Sequence, residues 1–177
     1  MSLKWHTRAG MHAGGCGNGA GAGSVGPVMQ RGDRVPDLSA PDQQGNTVRL
    51  ADLWATGPVV LFFYPKAMTS GCTKESCHFR DLAGEFAEVG AHRVGVSADR
   101  VERQAEFDRK HDLGYPLLSD PDRTIAAAFG VKRMGPLFNK RSTFVIGADG
   151  TVLDVITSEL DMDSHADRAL EVLRSAG

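Results

Sequence analysis

Two hydrophobic patterns alternate along the chain, and together they predict most of its elements. Val59-Val60-Leu61-Phe62-Phe63 is an unbroken apolar run between Gly57-Pro58 and Pro65, which predicts a strand buried on both faces. From Cys72 to Val89 the apolar residues Phe79, Leu82, Ala83, Phe86 and Val89 recur at helical spacing, which predicts one helix. The junction is therefore strand, tight loop and helix, with a cysteine in the first helical turn.

The same reading extends in both directions. Pro36 to Ala40 and Thr47 to Leu50 bracket the polar turn Asp42-Gln43-Gln44-Gly45-Asn46 and predict a short hairpin, followed by Leu53-Trp54. Arg93 to Ser97 predicts a second core strand, Asp99 to His111 a helix, and Leu117 to Pro121 a brief strand ending in a turn. Thr124 to Phe129 predicts a short helix stopped by Gly130. Ser142 to Ile146 and Thr151 to Ile156, joined by Gly147-Ala148-Asp149-Gly150, predict a hairpin, and Met162 to Ser175 a closing helix. Strands alternating with helices imply an α/β fold, a three-layer sandwich.

Residues 1–28 break this pattern. They are crowded with glycine, have almost nothing to bury, and predict a flexible tail before a single domain over 29–177. Cys16 and His12 in the tail are two ligand types on a Gly-rich coil, too few for a metal site, and no metal or other cofactor is implied. A net charge of −2 gives no electrostatic footprint for nucleic acid or an anionic membrane. No apolar run approaches the ~20 residues of a membrane span. Three cysteines are an odd count for a stapled secreted fold, so the reading is cytoplasmic.

The chemistry concentrates at Cys72. A helix N-terminus presents unpaired N–H groups and the positive end of the dipole, which favour thiolate, the nucleophilic form, over thiol. Thr69, three residues earlier, is placed to bring its hydroxyl beside the sulfur as a donor, Pro65 shapes the loop, and Gly71 allows close approach to the sulfur. Cys77 lies five residues on. An intact helix would hold the two Cα atoms about 8.7 Å apart. A disulfide requires less than roughly 7 Å, so pairing would need the first turns to unwind.

Pro65-Lys66-Ala67-Met68-Thr69-Ser70-Gly71-Cys72 fits the P-x-x-x-T-x-x-C signature of peroxiredoxins, and Gly71-Cys72-Thr73-Lys74-Glu75-Ser76-Cys77 resembles the G-C-T-x-E-x-C of the peroxiredoxin Q, or bacterioferritin comigratory protein, group. The resemblance runs from about Met29 to Gly177, so the residues upstream are read as an over-called start or a non-native extension. It includes Gly32-Asp33-Arg34-Val35-Pro36-Asp37-Leu38 and Lys140-Arg141-Ser142-Thr143-Phe144-Val145-Ile146. Ser70 and Gly147 depart from the usual Pro and acidic residue.

The resemblance implies a thioredoxin-like fold with an N-terminal hairpin extension, and a thiol peroxidase acting on hydrogen peroxide and organic hydroperoxides. Cys72 would attack and become a sulfenic acid, Cys77 would resolve it as an intramolecular disulfide, and thioredoxin or a similar thiol reductant would recycle the pair. Arg141 would lie over the cysteine, and Thr69, Pro65 and Gly71 would help bind the peroxide. Arg80 and Arg133 are the other candidates for the cation. Glu75, at a capping-box-like offset from Cys72, would support the first turn and tie Arg141 in place, and His78 would serve no catalytic purpose. No stretch reads as a dedicated interface, which suggests a monomer or weak homodimer. The competing reading is a redox-switched binding or sensor protein using the same cysteines without efficient turnover; a dithiol oxidoreductase would instead carry C-x-x-C.

Overall fold

The computed structural model describes residues 26–177. Most of the tail assigned above, with His12 and Cys16, lies outside the described residues. Val28, read as tail, is instead half-buried against the core beside Met29, whose N–H donates to the Phe129 carbonyl.

The centre is a five-stranded sheet in the order β5-β4-β3-β6-β7. Strand β3 (Val59–Phe63) is fully buried and lies between β4 (His92–Ser97), which it pairs in parallel, and β6 (Ser142–Ile146), which runs antiparallel to it. The outer strands are β5 (Leu117–Ser119) and β7 (Val152–Thr157). The parallel β3–β4 and β4–β5 steps are made by helical crossovers, and β6–β7 is the predicted hairpin. A separate two-stranded ribbon pairs β1 (Ser39–Pro41) with β2 (Thr47–Arg49), the N-terminal hairpin.

Alternation along β3 divides the core. Val60 and Phe62, continued by Tyr64, face α2 (Ser70–Asp81), α3 (Ala83–Glu88), α4 (Val101–His111) and α6 (Asp163–Ala176). Val59, Leu61 and Phe63 face α1 (Leu50–Trp54) and α5 (Thr124–Ala128). Helices on both faces of one sheet make the three layers, and each fully buried aromatic contributes up to about 3 kcal/mol of apolar burial.

Two expectations are corrected. Leu50 does not end a strand but begins α1, because its buried side chain turns under the sheet while its N–H is held by the Leu38 carbonyl. The helix expected over 72–89 is two: Leu82, at φ −88° and ψ 19°, breaks it just before Gly84, a weak helix former. Phe79 and Phe86 on either side of the break still stack, with ring centroids 5.8 Å apart.

Candidate active site

The site forms where the central strand gives way to α2. After Tyr64 the chain turns through Pro65, and the loop is pinned to the end of β4 by Asp99, which accepts the Ala67 N–H (2.8 Å) and the Ser97 hydroxyl (2.7 Å). Met68 is left-handed at φ +70°, an unfavourable conformation for a residue with a Cβ, and it delivers the chain to Thr69. Thr69 is the extended residue preceding α2, and Cys72 is the third residue of that helix.

Cys72 is buried, and Arg141 Nη2 donates to its Sγ at 3.3 Å. Arg141 stands directly before β6, so the antiparallel pairing of β6 with β3 carries the guanidinium to the helix terminus. Its Nη1 donates to Glu75 Oε2, and both side chains of this pair are buried. Glu75 is therefore tied to Arg141, while the capping offset is overturned: α2 is preceded by Thr69, so Glu75 lies inside the helix. Burial favours the neutral form of Arg141, but the charges of Glu75 and Cys72 outweigh it and hold its pKa above the ordinary value. Burial pushes the Glu75 carboxyl up to about 8 against the pull of Arg141.

Gly71 lies against this contact but is not required by it: its φ is not positive, and a Cβ there would meet Arg141 Nη2 at 3.4 Å and Met162 Cε at 3.6 Å, ordinary van der Waals distances. Thr69 differs from expectation. Its hydroxyl donates to the Lys66 carbonyl at 2.8 Å, so its proton is engaged and its lone pairs are what it can offer a ligand. Cys77 is a free thiol half-buried along the same helix, and Cys72 is free as well. Arg80 is engaged with Asp81 and the His111 carbonyl, and Arg133 with Glu159. His78 meets Asp167 at 2.8 Å on the surface.

Three participants escape sequence reasoning. Met162, at the start of α6, packs against the Gly71 position. Tyr115 donates its hydroxyl to the Ser76 carbonyl at 2.7 Å, holding α2 to the sheet. His165 on α6 is fully buried, with Nδ1 3.7 Å from Glu75 Oε1 and 2.8 Å from Thr143 Oγ1. A usable signal was the stripe Cys72, Glu75, Ser76 and Phe79, at i, i+3, i+4 and i+7, which buries a carboxylate. A cavity of about 590 Å³, lined by Ser39, Arg100 and Asp120 among others, excludes the cysteine. Among the described residues no cluster of three or more metal-ligating side chains exists, and no helix is long and apolar enough to cross a membrane.

A profile of the AhpC/TSA family matches residues 31–155. Peroxiredoxin Bcp of Bacillus subtilis is 38% identical over 153 residues, covering 83% of this chain and 96% of that protein. The chain belongs to the peroxiredoxins. Among solved structures, this peroxiredoxin is similar to peroxidoxin BcpB from Mycobacterium tuberculosis, with TM-score 0.81 at 59% identity, over 84% of this chain and 99% of that one. It is also similar to PrxQ of Xylella fastidiosa, with TM-score 0.78 at 28% identity, over 85% and 99% of the two chains. The sheet and its helical layers are thus the thioredoxin-like peroxiredoxin fold, and the protein is a thiol peroxidase of a family that acts on peroxides with thioredoxin-like reductants.

Proposed function

We propose that Cys72 is the peroxidatic cysteine of this peroxiredoxin and Cys77 its resolving partner. The observation that carries the reading is the 3.3 Å contact of Arg141 Nη2 with Cys72 Sγ at the N-terminus of α2. A guanidinium and a helix terminus at one sulfur both favour thiolate, and the unpaired N–H groups of Gly71 and Cys72 remain to hold a peroxide. Pro65 shapes the loop around the substrate. Thr69 acts as acceptor of the hydroperoxide O–H, since its own proton is given to Lys66.

The thiolate attacks the nearer oxygen: an S–O bond forms, the O–O bond breaks, and the distal oxygen leaves as hydroxide or alkoxide and is protonated. Cys72 becomes a sulfenic acid, and Cys77 thiolate displaces hydroxide from it to form a disulfide. Both cysteines lie on α2, so this second step follows unwinding of its first turns. A dithiol of the thioredoxin type then reduces the bond. The protein works as a monomer or weak homodimer in the cytoplasm, where its thiols are kept reduced, and the working domain begins at Val28, which packs against the core.

Arg141→Lys tests the first half. Lysine cannot span Glu75 and the sulfur with one planar fork, so peroxide oxidation of Cys72 should slow by about 100-fold while the circular dichroism spectrum is kept. Unchanged stopped-flow kinetics would remove Arg141 from the site. Cys77→Ser tests the second half: after one equivalent of hydrogen peroxide, mass spectrometry should find added oxygen on Cys72 and no intramolecular disulfide. Sustained thioredoxin-supported turnover in that variant would reassign resolution to another thiol. Deleting residues 1–25 should leave turnover unchanged.

A further inference from the structure

Behind Arg141 lies a buried cluster that the peroxidatic scheme leaves unused. His165 Nε2 is 2.9 Å from the Ser158 carbonyl, which can only accept, so Nε2 carries a proton. In the neutral ring Nδ1 is then bare and receives the Thr143 hydroxyl at 2.8 Å. Glu75 Oε1 lies 3.7 Å from that same Nδ1 and has no hydrogen-bond partner among the described residues, although it is buried. A single proton between Oε1 and Nδ1, with closure of about 0.8 Å, would give Glu75 its missing bond, with Thr143 turning to accept.

Charge counting shows what that proton would do. Where Glu75 is ionised, above its raised pKa of about 8, the Cys72 thiol, Arg141, Glu75 and neutral His165 sum to zero. Ionising Cys72 leaves one guanidinium facing two anions, and a buried net charge is costly. We propose that Glu75 and His165 form a proton-holding pair that takes up one proton as Cys72 becomes a thiolate, so that His165 is a positioning residue acting through Glu75 and Arg141. The inference rests on the peroxidatic reading of Cys72.

The cycle balances. When the S–O bond forms and the O–O bond breaks, sulfur is oxidised by two electrons and the peroxide is reduced. Cys72 is then a neutral sulfenic acid, the pair releases its proton, and the leaving oxide gains one through water. Burial drives the two members in the directions sharing requires, raising Glu75 and lowering His165. Other charged or titratable groups around the pair are Arg141 before β6, Glu159 and Asp161 between β7 and α6, Tyr115 before β5, and Cys72 on α2. Glu159 is itself paired with Arg133 at 2.6 Å.

The test follows peroxide oxidation of Cys72 against pH by stopped flow in wild type and His165→Gln, with folding checked by thermal melts. The rate midpoint should move to higher pH by about one unit, roughly tenfold in rate on the acid limb, with the alkaline plateau kept. A uniform fall with an unmoved midpoint would reduce His165 to packing and overturn the pair. Should His165→Gln fail to fold, NMR of the His165 ring and Glu75 carboxyl in the reduced wild-type protein and in Cys72→Ser decides. Signals that titrate with the Cys72 thiolate absorbance and shift in Cys72→Ser support the pair; signals identical in both proteins refute it. A wild type that peroxide does not oxidise rapidly would defeat the peroxidatic reading itself, an outcome separate from an unmoved midpoint.

Discussion

Glu75 holds a carboxyl group where water does not reach, with Arg141 as its one hydrogen-bond partner among the described residues. Removing one member of such a pair strands the other charge, at a cost of roughly 3–5 kcal/mol. Glu75→Gln should therefore lower unfolding stability by about 3 kcal/mol, read as a reduced urea midpoint with unchanged slope. A loss below about 0.5 kcal/mol would mean that Arg141 finds another acceptor. At this scale the sequence announces Cys72 and, through resemblance, Arg141. It cannot announce His165 or Met162, because their roles arise from α6 lying across α2, contacts made by residues some 90 positions away. Nor could it tell which way the Thr69 hydroxyl is spent, since that turns on the Lys66 carbonyl orientation within the strained Met68 turn.

Helix α2 has a firm end and a releasable one. Phe79 stacks on Phe62 of β3 with centroids 4.1 Å apart, and the Phe79 carbonyl receives Arg93 Nη1, so unwinding is contained ahead of that ring. The preceding turns are fastened to α6 by Lys74–Asp163 at 2.9 Å and His78–Asp167 at 2.8 Å, both at the surface. Exposed pairs contribute about 0.5 kcal/mol each, so the double variant Asp163→Asn/Asp167→Asn should form the Cys72–Cys77 disulfide up to ~5-fold faster, as unwinding becomes easier. The preceding peroxide step should keep its rate; equal rates for disulfide formation, measured by quenched free-thiol counting, would show that these pairs do not gate it. Apolar runs, helical spacing and turn residues together locate every strand, because β3 is one unbroken apolar run and β1–β2 and β6–β7 each flank a polar or Gly-rich turn. They do not reveal α1, only five residues long, or the break at Leu82, where apolar spacing continues although the backbone does not.

The whole molecule contains two tyrosines, Tyr64 and Tyr115, and both are buried. Burial, chiefly, raises both phenols above their ordinary value of 10.0, opposed by their hydrogen bonds. Above pH 10 the folded state thus holds protons that the unfolded chain has lost, and stability falls as pH rises. An alkaline titration at 295 nm should show no phenolate before unfolding, then one step coincident with loss of circular dichroism. Phenolate appearing while the fold persists would show that at least one ring is accessible.

Chain order adds a consequence for synthesis. Cys72 and the arginine touching it are 69 residues apart, brought together only when β6 pairs with β3. A growing chain on the ribosome displays its cysteine long before its cation exists. On the proposed reading, the thiol is thus armed by completion of the sheet, and a chain broken off before residue 141 carries the sulfur without the guanidinium beside it.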